Sequence, residues 1–184
     1  MVAGLAGQRF VVVGTTGSGK STVAAALATA RGLPHVELDA LHWEPDWVEA
    51  PDDVFRRRVQ DAVAHADTGW VVDGNYLEKV EDVVWPEADT VVWLDLPFRV
   101  VMDRLSRRTV RRMRTREELW QGNRERPSSL LTRDSIILWA IRTHRSNRDR
   151  FGSRARDPRY AHLDFVRLRS SADIERFLAA ERGR

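Results

Sequence analysis

The 184-residue sequence contains no cysteine, which excludes disulfide bonds, cysteine-ligated zinc and thiolate nucleophiles. It contains no apolar run of the roughly 20 residues that a membrane-spanning helix needs. Its first residues also lack the basic region, apolar stretch and cleavage site of a signal peptide. We therefore expect a cytoplasmic protein without a membrane partner. The five histidines show neither an i, i+4 pair nor an HExxH pattern, so the sequence does not support a zinc site.

Lysine is also scarce, because Lys20 and Lys79 are the two lysines among 30 basic residues and the other 28 are arginine. The charge is uneven: residues 99–159 hold 18 arginines against 7 acidic residues, a local net charge of +11 in a chain whose net charge is +3. Guanidinium groups suit phosphate, so this block indicates a polyphosphate, a nucleic acid or an anionic surface as partner. The alternative is a solvated helical surface.

Short apolar runs alternate with amphipathic segments at the spacing of β-α-β units, in a chain long enough for one domain, residues 1–184. The pattern predicts strands at Arg9–Val13, His35–Leu38, Trp70–Val72, Thr90–Leu94 and His162–Leu168. It predicts helices at Lys20–Arg31, Asp52–Ala66, after Pro97, at Glu117–Gln121, around Leu131–Ile141 and, with Ser171 as N-cap, at Ala172–Ala180. Residues 77–87 are expected to form a polar connection. The predicted fold is an α/β three-layer sandwich with a mostly parallel five-stranded sheet and a mobile helical insertion at residues 109–158.

The most informative motif runs from Gly14 to Ser21 and matches GxxxxGK[ST] between a predicted strand and a predicted helix. In such a loop the backbone N–H groups bind phosphate, the lysine reaches the β and γ phosphates and the following hydroxyl holds Mg²⁺. A dinucleotide loop would instead need G-x-G-x-x-G/A, and this chain has Gly17-Ser-Gly-Lys-Ser-Thr22. The motif predicts ATP and Mg²⁺ as cofactors, bound by Gly14, Thr15, Thr16, Gly17, Ser18, Gly19, Lys20, Ser21 and Thr22.

Three further acidic residues follow predicted strands, where ligands of parallel sheets bind. Asp73 and Asp95 each end an apolar strand and could organise Mg²⁺ with Ser21, and their spacing does not choose between them. Asp39 follows the second strand and is expected either to face the bound acceptor or to cap a helix. His42 is a weaker candidate, since a lone histidine beside tryptophans is typically a packed residue.

These residues resemble motifs of the P-loop nucleoside-monophosphate, shikimate and gluconate kinases. Asp73-Gly-Asn-Tyr76 is similar to the element that ends the third strand in adenylate kinases, and Leu94-Asp95-Leu-Pro97 with Asp103-Arg104-Leu105 is similar to their fourth strand and following helix. The resemblance implies that Asp73 organises the metal and that Asp95 is a capping or structural residue. It also implies that the insertion is a LID over ATP. On the helix that leads into it, the resemblance implies that Arg104 covers adenine and that Arg108 is a catalytic residue on the transferred phosphoryl group.

On the acceptor side, Asp39-Ala-Leu-His42 resembles gluconate kinases, which implies that Asp39 contacts an acceptor hydroxyl and can serve as a catalytic base. Two other motifs, Trp43-Glu-Pro-Asp-Trp47 and Glu118-Leu-Trp-Gln-Gly-Asn123, are similar to the small bacterial adenylate-kinase-like proteins also known as DNA topology modulation (FlaR-like) proteins. The acidic aromatic loop is poorly suited to a phosphate-bearing acceptor. The rings of this region either stack on a base or sugar or belong to the core, and they are Trp43, Trp47, Tyr76 and Trp120.

The sequence therefore favours a phosphotransferase that moves the γ-phosphoryl group of Mg-ATP to a nucleotide or another small hydroxyl compound, with ATP and that acceptor as its partners. The alternative is an NTP-binding regulatory protein associated with DNA through its arginine-rich face, which makes nucleic acid the less favoured partner. A P-loop protein that binds nucleotide without turnover is a third reading. Intact Lys20, Ser21 and Asp73 count against it.

Overall fold

The computed structural model describes residues 7–125 and 135–183. Five strands and seven helices of this part of the chain follow one another in the order β1 (Arg9–Gly14), α1 (Lys20–Arg31), β2 (His35–Glu37), α2 (Leu38–His42), α3 (Asp52–Ala64), β3 (Trp70–Asp73), α4 (Leu77–Val84), β4 (Thr90–Leu94), α5 (Phe98–Thr115), α6 (Ile136–Arg154), β5 (Asp164–Leu168) and α7 (Ser171–Arg182).

The five strands form one parallel sheet in the order β2-β3-β1-β4-β5. The central strand β1 is a run of valines, which suit a strand that is buried on both faces. In the register of the sheet, Val11 lies between Val72 and Val91, and Glu37 pairs with Asp73. The carboxyl ends of β1, β2 and β3 therefore meet at one edge, where the loops that follow them can build a shared site.

Alternate residues of the strands face two separate cores, because successive side chains of a strand point to opposite faces. Val11 and Val13 pack in one core with Phe55 of α3, Val80 of α4 and Phe151 of α6. The opposite face of the sheet, with Phe10 and Val12, packs against Leu27 of α1, Val101 of α5 and Phe177 of α7. The predicted three-layer α/β sandwich is thus confirmed, and every strand pair in it is parallel.

Two local predictions are wrong. The supposed polar connection at residues 77–87 contains helix α4, whose Val80 and Val84 are four residues apart and buried, while half of its eight residues are charged. The helix expected at Glu117–Gln121 does not form. A 3₁₀ turn at Trp120–Gly122 replaces it, since Gln121 and Gly122 adopt left-handed φ values of 55° and 78°.

Three boundaries also differ from the prediction. Strand β2 ends at Glu37, so Asp39 lies in the first turn of the short helix α2 and not directly after a strand. The N-cap of α7 is Ser170, whose Oγ accepts a hydrogen bond from the backbone N–H of Asp173 at 3.1 Å. Leu131 lies outside the described residues, and the helix predicted around it is described from Ile136 onward.

The arginine-rich segment is joined closely to the rest of the domain. Helix α5 runs without a break from Phe98 to Thr115, and Phe151 of α6 packs against Trp93 of the central sheet. That residues 109–158 act as a LID stays a prediction. Within the described ranges, no helix has the length and apolar character that crossing a membrane would require.

Candidate active site

The loop between β1 and α1 is packed tightly against α5. Gly17 has φ +85°, and a Cβ placed on it would lie 2.8 Å from Cβ of Leu105 and 3.0 Å from the carbonyl oxygen of Val101. A side chain at this position would therefore displace α5 or unwind the loop. Glycine is needed here for its backbone conformation and for space.

Two polar groups of this loop have no partner of their own. The Lys20 ammonium makes no ion pair or hydrogen bond with a described residue, and the buried Oγ of Ser18 is likewise without a hydrogen bond there. Lys20 begins α1, where the positive end of the helix dipole favours an anion. These groups fit a polyphosphate, and the residues that the motif predicts to bind nucleotide, Gly14 to Thr22, run from the end of β1 through this loop into the first turn of α1.

Ser21 is joined to the edge of the sheet by Asp73. Its Oγ donates a hydrogen bond to Oδ2 of Asp73 at 2.5 Å, and Nε2 of His35 lies 3.1 Å from Oδ1 of the same carboxylate. Burial lowers the pKa of His35, but the Asp73 hydrogen bond and carboxylate charge, with Glu37, outweigh burial and leave that pKa raised. The oxygens of Ser21, Asp73 and Glu37 are hard ligands of the kind that Mg²⁺ prefers.

The approach of His35 was not visible from the sequence. His35, Glu37 and Asp73 offer ligand atoms within 4.8 Å of one another, although they come from two strands separated by more than thirty residues. Only the β2–β3 register, in which Glu37 pairs with Asp73, brings them together. Neither an i, i+4 histidine pair nor an HExxH motif describes such a cluster, because the cluster depends on which strands are neighbours in the sheet.

Asp95, the other acidic candidate, is occupied elsewhere. Its buried carboxylate accepts hydrogen bonds from Nε and Nη2 of Arg167 at 2.9 and 2.5 Å, and Arg148 lies 3.3 Å away. The same Arg167 guanidinium lies over the ring of Trp93 at 4.3 Å. These contacts fix the ends of β4 and β5 to α6, which fits the structural role that the resemblance implied for Asp95.

Two other side chains hold the phosphate loop in place. The carboxamide of Asn75 donates to the carbonyl oxygen of Gly14 at 2.7 Å and accepts from the Gly14 N–H at 3.3 Å. Arg104 donates to the carbonyl oxygen of Ser18 at 2.8 Å and to Oγ of Ser171 at 3.0 Å, so it spans the loop and the start of α7. Asn75 was not predicted as a site residue. Its position just after Asp73-Gly74, at the carboxyl end of β3, could have indicated one.

Asp39 lies beside an aromatic hydroxyl, and its charge acts on the guanidinium of Arg108. The phenol of Tyr76 donates to Oδ1 of Asp39 at 2.6 Å, and burial together with the charge of Asp39 raises the pKa of that phenol. Burial, reinforced by the charge of Arg112, lowers the pKa of Arg108, while Asp39 is near enough to oppose that shift. The structure thus brings Asp39 and Arg108 into one electrostatic environment, and Nε of Arg108 is buried without a hydrogen bond to any residue described.

His42 is a packed residue. Its ring, 2% exposed, contacts the rings of Trp43, Phe55 and Tyr76 with centroids 4.6–5.0 Å apart. Burial and the positive charge of Lys79 lower its pKa, which favours the neutral imidazole. The aromatic residues therefore divide between core and surface: Tyr76 packs against the core, whereas Trp47 is 37% exposed.

Comparison with known proteins places this site in a family. The family described as AAA domain matches residues 11–126, which include the phosphate loop, Asp39, Asp73 and Arg108. An adenylate kinase of Haloarcula marismortui is 33% identical over 129 residues, which are 58% of this chain and 59% of that protein. The chain thus spans less than two thirds of the curated relative that it matches.

Two solved structures share the fold over nearly the whole chain. A gluconokinase from Sinorhizobium meliloti 1021 has a TM-score of 0.52 and 21% identity, with 95% of this chain and 89% of that chain covered. An unliganded sugar kinase from Janibacter sp. HTCC2649 gives the same TM-score and identity, with coverages of 94% and 92%. These two structures show the shared fold. The AAA domain match and the adenylate kinase relative, together with the phosphate loop, confirm the predicted resemblance to the P-loop adenylate-kinase-like group, and the chain belongs to the AAA domain family.

Proposed function

We propose that the protein is an ATP- and Mg²⁺-dependent phosphotransferase that acts on the hydroxyl group of a small molecule, a nucleotide or another metabolite. The observation that carries this proposal is the meeting of three groups at one edge of the sheet. These are a phosphate loop whose Lys20 has no partner among the described residues, the Ser21–Asp73 pair at 2.5 Å, and the Asp39 carboxylate, whose charge acts on Arg108. The names of the similar proteins, an adenylate kinase, a gluconokinase and a sugar kinase, agree with phosphoryl transfer.

On the nucleotide side, the loop N–H groups and Lys20 bind the phosphates, and Ser21 and Asp73 hold Mg²⁺, which neutralises phosphate charge when bound. Arg104 already touches both the phosphate loop and α7. From that position its guanidinium can cover the base of the nucleotide. Asn75 keeps the first peptide of the loop fixed, so the binding groups are preorganised before the nucleotide arrives.

On the acceptor side, Asp39 orients the acceptor hydroxyl and removes its proton. Tyr76 occupies Oδ1, and Oδ2 of Asp39 accepts no hydrogen bond from the residues described, so this oxygen can face the acceptor. The acceptor oxygen forms a bond to the γ-phosphorus, the bond from that phosphorus to the bridging oxygen of ADP breaks, and the hydroxyl proton passes to Asp39. Arg108 stabilises the charge on the transferring group.

An ADP-release screen tests this proposal. The protein with Mg-ATP is offered nucleoside monophosphates, nucleosides, sugars, sugar acids and other polyols, and we expect at least one class to raise ADP release well above basal hydrolysis. With that acceptor, Asp39→Asn should lower kcat by about 10²-fold or more, in the range of general-base catalysis. If no class raises ADP release, the phosphotransferase proposal is wrong. An unchanged rate in Asp39→Asn would remove Asp39 from the mechanism.

A further inference from the structure

Two motifs singled out in the sequence bind each other in the structure. Residues 43–49, here called the acceptor loop, form a short hairpin closed by a bridge between Trp43 and Glu49. Residues 118–124, here called the LID-base hairpin, are closed in the same way by Glu118 and Arg124. The hydrogen-bonded residues of the two segments are 76 to 79 positions apart in the chain, so their contact is a product of the tertiary fold.

The side chain of Asn123 makes the central contact. Its Oδ1 accepts a hydrogen bond from the Trp47 N–H at 2.9 Å, and its Nδ2 donates to the carbonyl oxygen of Glu44 at 2.8 Å. Asn123 is 5% exposed, so both hydrogen bonds are shielded from water and their loss would leave backbone groups unsatisfied. One carboxamide thus hydrogen-bonds to the backbone on both sides of the turn in the acceptor loop.

Two indole groups extend this contact in both directions. Nε1 of Trp47 donates to the carbonyl oxygen of Arg124 at 3.4 Å, and Nε1 of Trp120 donates to Oε2 of Glu37 at 2.6 Å. The rings of Trp47 and Trp120 lie edge to face, with centroids 6.5 Å apart. Glu37 is the last residue of β2 and pairs in register with Asp73, so the LID-base hairpin also reaches the proposed metal edge.

The acceptor loop is held in an unusual backbone conformation. Asp46 and Trp47 have φ values of +60° and +59°, in the left-handed region that bulky residues rarely adopt. Such a conformation persists where surrounding contacts over-determine it, and the Asn123 hydrogen bonds supply contacts of this kind.

A continuous path leads from this contact back to the phosphate loop. Arg112 of α5, 15% exposed, pairs with Glu125 at 3.0 Å and with Glu117 at 3.4 Å, which ties both ends of the LID-base hairpin to that helix. The same helix carries Arg104, which binds the phosphate loop, and Arg108, which lies in the environment of Asp39. Each step in this path is a hydrogen bond, an ion pair or a helix.

We infer that Asn123 is a positioning residue that fastens the acceptor loop to the LID-base hairpin, so that nucleotide bound at the phosphate loop orders the acceptor loop through α5. The inference rests on the proposed function in assigning nucleotide and acceptor to these two places. The phosphate loop and the acceptor loop are then coupled, and this coupling can be measured without knowing the acceptor.

Hydrogen–deuterium exchange of the full chain, with and without Mg-AMPPNP, tests the coupling. In the free protein, Asn123→Ala should speed exchange in residues 43–49 by about tenfold or more, since the Trp47 N–H loses its acceptor. Mg-AMPPNP should slow exchange of the same residues in the unsubstituted protein and in Asn147→Ala, a matched control in α6. In Asn123→Ala, Mg-AMPPNP should not slow the exchange of residues 43–49, while its affinity stays within about threefold of that of the unsubstituted protein.

A second variant keeps the test decisive if Asn123→Ala folds poorly. Trp120→Phe retains the ring and removes the hydrogen bond to Glu37, and it should weaken the protection of residues 43–49 by Mg-AMPPNP. Unchanged exchange of these residues in free Asn123→Ala, or full protection by Mg-AMPPNP in both variants, would overturn the inference. If Mg-AMPPNP does not bind the unsubstituted protein, the proposed function fails. Exchange of residues 43–49 in the free proteins then decides whether Asn123 holds the acceptor loop.

Discussion

The two lysines of the chain have different surroundings, and this makes them a matched pair for experiment. Lys20 begins α1 at the phosphate loop with no partner among the residues that the structure describes. Lys79 pairs with Glu49 at the end of the acceptor loop and with Asp52, each at 3.0 Å. A cation left unpaired next to a phosphate loop is available to a bound phosphate, whereas one already paired with two carboxylates is not.

We therefore predict that Lys20→Ala weakens ATP binding by about 10- to 100-fold, as expected for the loss of a charge-assisted hydrogen bond of about 1.5–3 kcal/mol. Lys79→Ala should leave the ATP affinity unchanged, and isothermal titration with Mg-AMPPNP measures both. Normal affinity in Lys20→Ala would contradict the assignment of the phosphate loop.

The two carboxylates that their spacing could not distinguish also differ in their contacts. Asp73 meets Ser21 of the phosphate loop, while Asp95 is buried between Arg167 and Arg148. We predict that Asp73→Asn raises the Mg²⁺ concentration for half-maximal ADP release by about tenfold or more. Asp95→Asn should instead destabilise the fold by about 1–3 kcal/mol, because the buried carboxylate that accepts the Arg167 hydrogen bonds loses its charge.

Measuring the Mg²⁺ dependence and the denaturant midpoint of both variants separates the two roles. A shifted Mg²⁺ dependence in Asp95→Asn, with none in Asp73→Asn, would reverse the assignment. Equal destabilisation without any Mg²⁺ effect would remove both carboxylates from the metal site.

At the scale of elements, the attachment of α6 to α4 depends on a partly buried carboxylate. Glu81 accepts hydrogen bonds from Nε and Nη2 of Arg154 at 2.6 and 2.8 Å, and from the phenol of Tyr160 at 2.5 Å. Burial opposes ionisation of Glu81, but these hydrogen bonds outweigh burial and lower its pKa. Burial and the hydrogen bond to Glu81 raise the pKa of Tyr160 to about 12.

A lowered pKa in the folded state stabilises the protein above the unfolded pKa of Glu81 and ceases to do so as the pH falls through the folded value. We predict that thermal stability declines below about pH 4.5 and that Glu81→Gln reduces this part of the decline. At neutral pH, Glu81→Gln should cost about 1–2 kcal/mol. Glu78→Gln, on the exposed side of the same helix, is the control in a series of melting curves from pH 3 to 7. Identical pH profiles for all three proteins would show that Glu81 does not contribute.

Most elements could be predicted because their signals are local. The valine run of β1 and the alanine-rich α1 with Gly32 after it carry their own pattern. Helix α4 was not predicted because charged residues lie between its buried Val80 and Val84. The helical spacing of these two apolar residues was therefore not recognised in a polar stretch. The approach of His35 to Asp73 and of Asn123 to the acceptor loop depends on strand register and tertiary packing, which local patterns do not contain.

For the molecule as a whole, the arginine-rich segment is less free than its net charge suggests. Several of its arginines pair with acidic side chains nearby: Arg107 with Asp103, Arg111 with Glu117, Arg124 with Glu118, Arg150 with Glu78, and Arg159 with Asp157. A face built to neutralise a DNA backbone would present guanidinium groups without such partners. The pairing lowers the positive charge that the segment can offer to a DNA backbone and weighs against the DNA-associated alternative.

We accordingly predict that binding to a 30-base-pair duplex is weak at 0.15 M salt, with a Kd above about 1 µM, and falls steeply as salt rises. ATP held by backbone N–H groups and Lys20 should lose far less affinity over the same salt range. Fluorescence anisotropy with labelled duplex and labelled ATP at 50–300 mM NaCl compares the two. Tight duplex binding that persists at 0.3 M would favour the DNA-associated alternative.

In the proposed reaction, the γ-phosphoryl group of ATP leaves the phosphate loop for a hydroxyl group held at Asp39. ATP labelled at the γ-phosphorus, followed with the acceptor class found by the screen, shows where this group goes. We predict one labelled product molecule for each ADP formed in the unsubstituted protein, and loss of labelled product in Lys20→Ala and Asp39→Asn. ADP formation that yields labelled inorganic phosphate alone with every acceptor would contradict it.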